Sequence, residues 1–129
     1  MLDTNIVSHA LRHPQGAAAR GIRSYAPGEI CISVIVSAEL RFGAAQIGSR
    51  RLDDQLDEAE GLYDVIPLTA DIVSHYAAVR TELEKAGRPI GPNDLWIAAH
   101  ALALDLPLVT ANIREFSRVP NLRVENWLD

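Results

Sequence analysis

The chain has 129 residues, of which 48% are hydrophobic, with 12 Lys and Arg against 17 Asp and Glu for a net charge of −5. This suits one packed domain over residues 1–129 and excludes a disordered chain. It also argues against a protein that grips nucleic acid by a broad basic surface. A nucleic-acid enzyme whose metal ion supplies the local positive charge remains compatible with it. The acidic balance favours a basic protein partner. Cys31 is the only cysteine, which rules out an intrachain disulfide and a cysteine metal cage. No run reaches the ~18 apolar residues of a membrane helix, and the N-terminus carries no basic region followed by an apolar core. A soluble, cytoplasmic protein without membrane contact is therefore expected.

In chain order, residues 2–6 read as a short first strand. Residues 29–36 form a continuous apolar, β-rich run that reads as the second. Helical spacing follows: Leu40, Ala44 and Ile47 over 37–47, then Leu52, Leu56, Ala59 and Tyr63 over 50–63. Residues 64–67 predict a third strand. Ile72, Tyr76, Val79 and Leu83 place a helix over 70–86, stopped by Gly87 and Pro89. The stretch 94–105 is apolar nearly all round, which predicts a buried helix. Residues 106–110 and 122–125 complete the strands, with a short helix between them. Continuous apolar strands alternating with helices predict an α/β sandwich around a mainly parallel sheet of about five strands.

In such sheets ligands bind beyond the carboxyl ends of the strands. Asp3 falls at such an end, and Glu39 follows the second strand. Asp94 opens the buried helix, and Thr110, Asn112 and Glu115 follow the strand 106–110. Neighbouring strands lie ~4.8 Å apart, so these groups can share one site. Carboxylates gathered this way repel unless a cation sits among them. A hard divalent ion with oxygen ligands, Mg²⁺ or Mn²⁺, resolves the conflict and activates water near a phosphodiester. Each residue also has a structural alternative: an Asx-turn at Asp3, a solvated surface acid at Glu39, an N-cap at Asn93 or Asp94, and a plain loop around Asn112 and Glu115.

Four motifs carry a resemblance. They are Leu2-Asp3-Thr4-Asn5-Ile6, Ser37-Ala38-Glu39-Leu40-Arg41-Phe42-Gly43, Asn93-Asp94-Leu95-Trp96-Ile97-Ala98-Ala99, and Leu108-Val109-Thr110-Ala111-Asn112-Ile113-Arg114-Glu115-Phe116. Each is short, but four in this order and at these separations are specific. The chain resembles the PIN-domain family, and within it the VapC type of toxin–antitoxin ribonuclease, from end to end. The resemblance implies a PIN-like three-layer sandwich and a metal-dependent endoribonuclease using Mg²⁺ or Mn²⁺. Asp3, Glu39 and Asp94 match three acidic metal-site positions. The fourth falls at Glu115, one methylene longer than the Asp that relatives often carry. Asn112 matches another polar position, while Thr4, Asn5 and Thr110 are expected to orient ligands or water. Arg41, Arg88 and Arg114 are candidates for holding the RNA backbone, or plain surface charges.

The resemblance also implies partners: an RNA substrate (tRNA, rRNA or mRNA), a VapB-type antitoxin covering the acidic groove, and a second copy of the chain in a homodimer. Relatives usually carry a few more residues before the first motif, so either the natural start lies upstream or the first strand is trimmed. Other readings are weaker. A phosphoacceptor domain needs a lysine after a late strand, and Lys85 is misplaced. A haloacid-dehalogenase-like phosphatase needs Asp where Asn5 stands. There is no phosphate-binding Gly-x-x-x-x-Gly-Lys run, and His9, His13, His75 and His100 lack zinc spacing. A catalytically silent PIN-like domain that binds RNA or protein is the alternative.

Overall fold

The computed structural model describes residues 1–128. Two parallel strand pairs form its sheet. β1 (Cys31–Ser33) runs beside β2 (Asp64–Ile66), and β3 (Leu108–Val109) beside β4 (Val124–Glu125). Leu2 joins them, bridging Ile32 on one side and Val109 on the other, both in parallel. The order is thus β2, β1, Leu2, β3, β4, five parallel segments across. Every residue of β1 and β3 is buried. Because successive side chains point to opposite faces, both faces of the sheet are covered, as expected for a three-layer α/β sandwich.

Seven helices surround it: α1 (Thr4–Arg12), α2 (Ala17–Arg23), α3 (Val34–Ile47), α4 (Arg50–Ala59), α5 (Ile72–Lys85), α6 (Pro92–Ala103) and α7 (Ile113–Phe116). The expected strand at 2–6 is corrected. Only Leu2 enters the ladder, and Asp3 turns the chain by accepting from the Thr4 N–H as the cap of α1. The expected strand at 29–36 likewise shrinks to Cys31–Ser33. Ser33 Oγ accepts from the Ile35 N–H at 3.2 Å, so a side-chain cap starts α3. Val34, Ile35 and Val36 follow it into helix despite their β-branched side chains. α3 ends at Gly48, whose φ of +66° is the left-handed conformation that glycine adopts without strain. Ser49 then caps α4.

The expected buried helix is present. Leu95, Ile97, Ala98, Ala99, His100 and Ala101 of α6 are all buried. It begins at Pro92 rather than Asp94, with Gly91 at the cap position, so neither Asn93 nor Asp94 caps it. Proline suits this first position because its missing N–H has no partner there anyway. His100 packs in the core and meets Ser33 Oγ through Nδ1 at 2.8 Å. Phe116 is completely buried. Such burial contributes about 1.5–3 kcal/mol and pins α7, which carries Glu115, against the sheet.

Candidate active site

The site forms where β1, Leu2 and β3 all end. Asp3 is 3% exposed, held there by its neighbours. Its Oδ1 accepts from the Thr4 N–H at 2.8 Å. Its Oδ2 accepts from Thr110 Oγ1 at 2.7 Å and from Asn5 Nδ2 at 3.0 Å. Asn5 Oδ1 in turn accepts from the Ala111 N–H at 2.8 Å. Asn5 and Thr110 thereby lock the chain after Leu2 to the chain after β3. Burial pushes the Asp3 pKa up, with Glu39 adding to it, against the hydrogen bonds of Thr110, Thr4 and Asn5.

Glu39 lies in the second turn of α3, one turn deeper than a helix beginning at Ser37 would place it. Thr4 Oγ1 donates to its Oε1 at 2.8 Å. Asp94, in the first turn of α6, meets Glu115 from α7 carboxyl to carboxyl. Burial first, then Glu115, then Asp3 and Glu39, push the Asp94 pKa up to about 7. Burial also opposes the charged form of Glu115. Even so, the Gly91 N–H, Asp94, the Asn112 amide and Arg118 hold its pKa below the usual range. The contacts are short: Gly91 N donates to Glu115 Oε1 at 2.8 Å, and Asn112 Nδ2 to Oε2 at 2.5 Å. Asp94 therefore carries the proton of this pair, and Glu115 the charge. The extra methylene of Glu115 lets one side chain reach Gly91, Asn112 and Asp94 together.

All eight residues singled out in the sequence thus meet in one region, through two linked networks. Asp3, Thr4, Asn5, Glu39, Asp94 and Asn112 line an open cavity of about 370 Å³ together with Ser8 and Arg12. Glu115 sits behind Asp94, and Thr110 beneath Asp3. Of the three candidate arginines, none lines the cavity. Arg41 is committed to Asp53, Asp57 and Glu60 at 2.8–3.0 Å, which corrects its candidacy. Arg88 and Arg114 are exposed.

Ser8, Arg12, Arg118 and the Gly91 N–H were not singled out by the sequence. Ser8 and Arg12 follow Thr4 at steps of four, so they share its helix face. Reading residues 2–6 as strand hides that spacing. Arg118 donates to the Pro89 carbonyl at 3.0 Å and ties the loop before α6 to α7.

Among the described residues no three His, Cys, Asp or Glu side chains are drawn tightly enough to enclose an ion. The donor set still fits a hard divalent cation. Asp3, Glu39, Asp94 and Glu115 offer only carboxylate oxygens, flanked by hydroxyl and amide groups. The proton that Asp94 keeps up to about pH 7 is the charge such a cation would replace.

The PIN domain family model matches residues 1–122. The chain is 40% identical to Ribonuclease VapC2 of Rickettsia felis, over 98% of this chain and 96% of that protein. It is 38% identical, with the same coverages, to the tRNA(fMet)-specific endonuclease VapC of Shigella flexneri. The crystal structure of VapBC2 from Rickettsia felis bound to a promoter DNA fragment superposes with a TM-score of 0.89 at 38% identity, covering 98% of this chain and 97% of the other. End to end, in sequence and in fold, the chain belongs to the PIN-domain family, in its VapC ribonuclease branch.

Proposed function

We propose that this chain is the toxin ribonuclease of a toxin–antitoxin pair. It hydrolyses RNA phosphodiester bonds at the Asp3–Glu39–Asp94–Glu115 groove, and a VapB-type antitoxin silences it. The observation that carries this reading is the groove itself. Four carboxylates from separate parts of the chain converge there, and one of them, Asp94, stays protonated up to about pH 7 because burial and the neighbouring carboxylates oppose its charge. A chain that needed these acids only for folding would pair them, since unpaired buried charge is costly.

Asp3, Glu39, Asp94 and Glu115 would hold Mg²⁺ or Mn²⁺, which supplies activated water and charge neutralisation at the phosphate. The protein's own part is positioning. Thr110 and Asn5 fix the place of Asp3 and favour its ionised state, and Thr4 fixes Glu39. Asn112 and Gly91 hold Glu115 as the anion, leaving the proton on Asp94. tRNA is the first substrate to try, because the Shigella flexneri relative is named for tRNA(fMet). The VapBC complexes among the structural relatives support the antitoxin, and the acidic surface suits a basic partner segment. A homodimer and a cytoplasmic location complete the reading. No helix of the described residues is long and apolar enough to cross a membrane.

The test is cleavage of a tRNA pool by the purified chain, free of antitoxin, with Mg²⁺, Mn²⁺ or excess EDTA, and Asp94→Ala in parallel. Cleavage that needs both metal and Asp94 is expected, with a loss of about 10³-fold or more in the variant. Wild-type rates from Asp94→Ala, or full activity in EDTA, would overturn the reading. No cleavage by the folded wild type under any condition would favour the silent, binding-only domain.

A further inference from the structure

We propose that Arg12 holds the RNA backbone beside the scissile phosphate, an inference that rests on the ribonuclease reading above. Arg12 closes α1, two turns beyond Thr4 on the same face. It lines the acidic cavity and also a neighbouring cavity of about 350 Å³ between α1, α3 and α4. The two cavities share Thr4, Ser8, Arg12 and Glu39, so they form one continuous groove. Arg12 is the only Lys or Arg lining either of them. It is exposed, and among the described residues it makes no ion pair. Its guanidinium therefore remains available inside a groove otherwise lined by acids and neutral groups.

An RNA strand crossing this groove brings one negative charge per nucleotide past carboxylates, in a protein of net charge −5. Repulsion is smallest where a cation waits for a phosphate. The guanidinium fork matches two phosphate oxygens at once. Eight residues of helix span about 12 Å from Thr4 to Arg12, which assigns Arg12 a flanking phosphate and leaves the scissile one to the acids. A purely structural role exists: a basic residue in the last turn complements the helix dipole. Lysine would serve that role equally, and its loss would change melting rather than substrate affinity. A single carboxylate on the otherwise basic antitoxin segment is the other candidate partner for this arginine.

Wild type, Arg12→Ala and Arg12→Lys are compared as full chains purified away from any partner, with a tRNA pool as probe. Cleavage rates give kcat and KM, and binding in EDTA is followed between 50 and 200 mM salt, about the range over which phosphate contacts are read out. For Arg12→Ala we expect KM to rise about tenfold with kcat nearly unchanged. The slope of log affinity against log salt should fall by about 0.7, one phosphate on a single strand. Arg12→Lys should recover the slope but only part of KM. Unchanged KM and slope in Arg12→Ala, from wild type that binds and cuts, would overturn the inference. So would weakened binding of a VapB-type antitoxin, titrated back onto each variant in a separate arm, with intact RNA cleavage, or a lower melting temperature as the sole effect. Wild type that neither binds nor cuts the pool would instead overturn the ribonuclease reading, and this inference with it.

Discussion

Two acidic regions of this molecule have opposite fates. On and just after α4, Asp53, Asp54, Asp57, Glu58 and Glu60 crowd into eight positions, the densest negative run in the sequence. Arg41 reaches across from α3 and binds three of them. The groove acids are scattered from position 3 to position 115, yet they converge without such a cation. Local density of acids therefore says little about function. What distinguishes the groove is that folding brings its acids together with no ion pair to any of them among the described residues. Folding stability alone would not select for that, because it raises the free energy of the native state.

Short of removing an acid, the largest effect should come from loosening the groove around one. Thr110 is completely buried, and its hydroxyl both donates to Asp3 and accepts from the Asn112 N–H at 3.0 Å. Thr110→Val keeps the shape and deletes these contacts, together with the one the hydroxyl accepts from Asn5 Nδ2 at 3.3 Å. The Asp3 pKa should then rise further, since the hydrogen bond that favours its anion is lost. Cleavage should fall about 10–100-fold, with the pH profile of kcat/KM displaced upward. An unchanged profile would mean that Asp3 does not need Thr110 and that the groove is less tuned than its contacts indicate.

A second test uses the charge itself. The folded-state pKa of Asp94, about 7, lies above the ~3.9 of an unfolded aspartate. Between those values the native state binds the extra proton, so stability falls as pH rises through this window and levels off above about pH 7. Urea unfolding in EDTA should show that fall, and Asp94→Asn should flatten it. Adding Mg²⁺ or Mn²⁺ should restore stability most at the alkaline end, because a ligand that binds only the native state stabilises it by mass action. A cation effect that is independent of pH and of Asp94 would place the ion elsewhere.

Much of the groove is legible in the amino-acid sequence. Asp3, Glu39 and Asp94 stand in recognisable motifs, and the apolar strands announce a sheet covered on both faces. The first helix is not legible. Ile6 and Val7 are β-branched and apolar, and only the Asp3 cap turns them into helix, which conceals Ser8 and Arg12. The start of α3 is hidden for the same reason at Val34 to Val36, where Ser33 decides the matter. The Asp94–Glu115 proton and the Gly91 N–H are out of reach for a different reason. One depends on contact between residues 21 apart in sequence, and the other is a backbone group that no side chain signals. Arg41 misleads in the opposite direction. Its motif neighbour Glu39 faces the groove, but two positions further round the helix the side chain points to α4.

The smallest effect is the one that separates the two acidic regions most cleanly. Arg41 holds three carboxylates, but its side chain is 32% exposed and its partners are between 38% and 69% exposed. Ion pairs this open contribute little, because water and salt screen them and long side chains lose entropy to form them. Arg41→Ala should therefore destabilise the chain by about 1 kcal/mol or less. The loss should shrink further in high salt, and RNA cleavage should stay at the wild-type rate. Chemical denaturation at low and high salt, alongside the cleavage assay, measures both. If Arg41→Ala cuts RNA more slowly while its stability holds, the α4 acids and their arginine belong to the substrate path. The division between a neutralised surface and an uncompensated groove would then have to be redrawn.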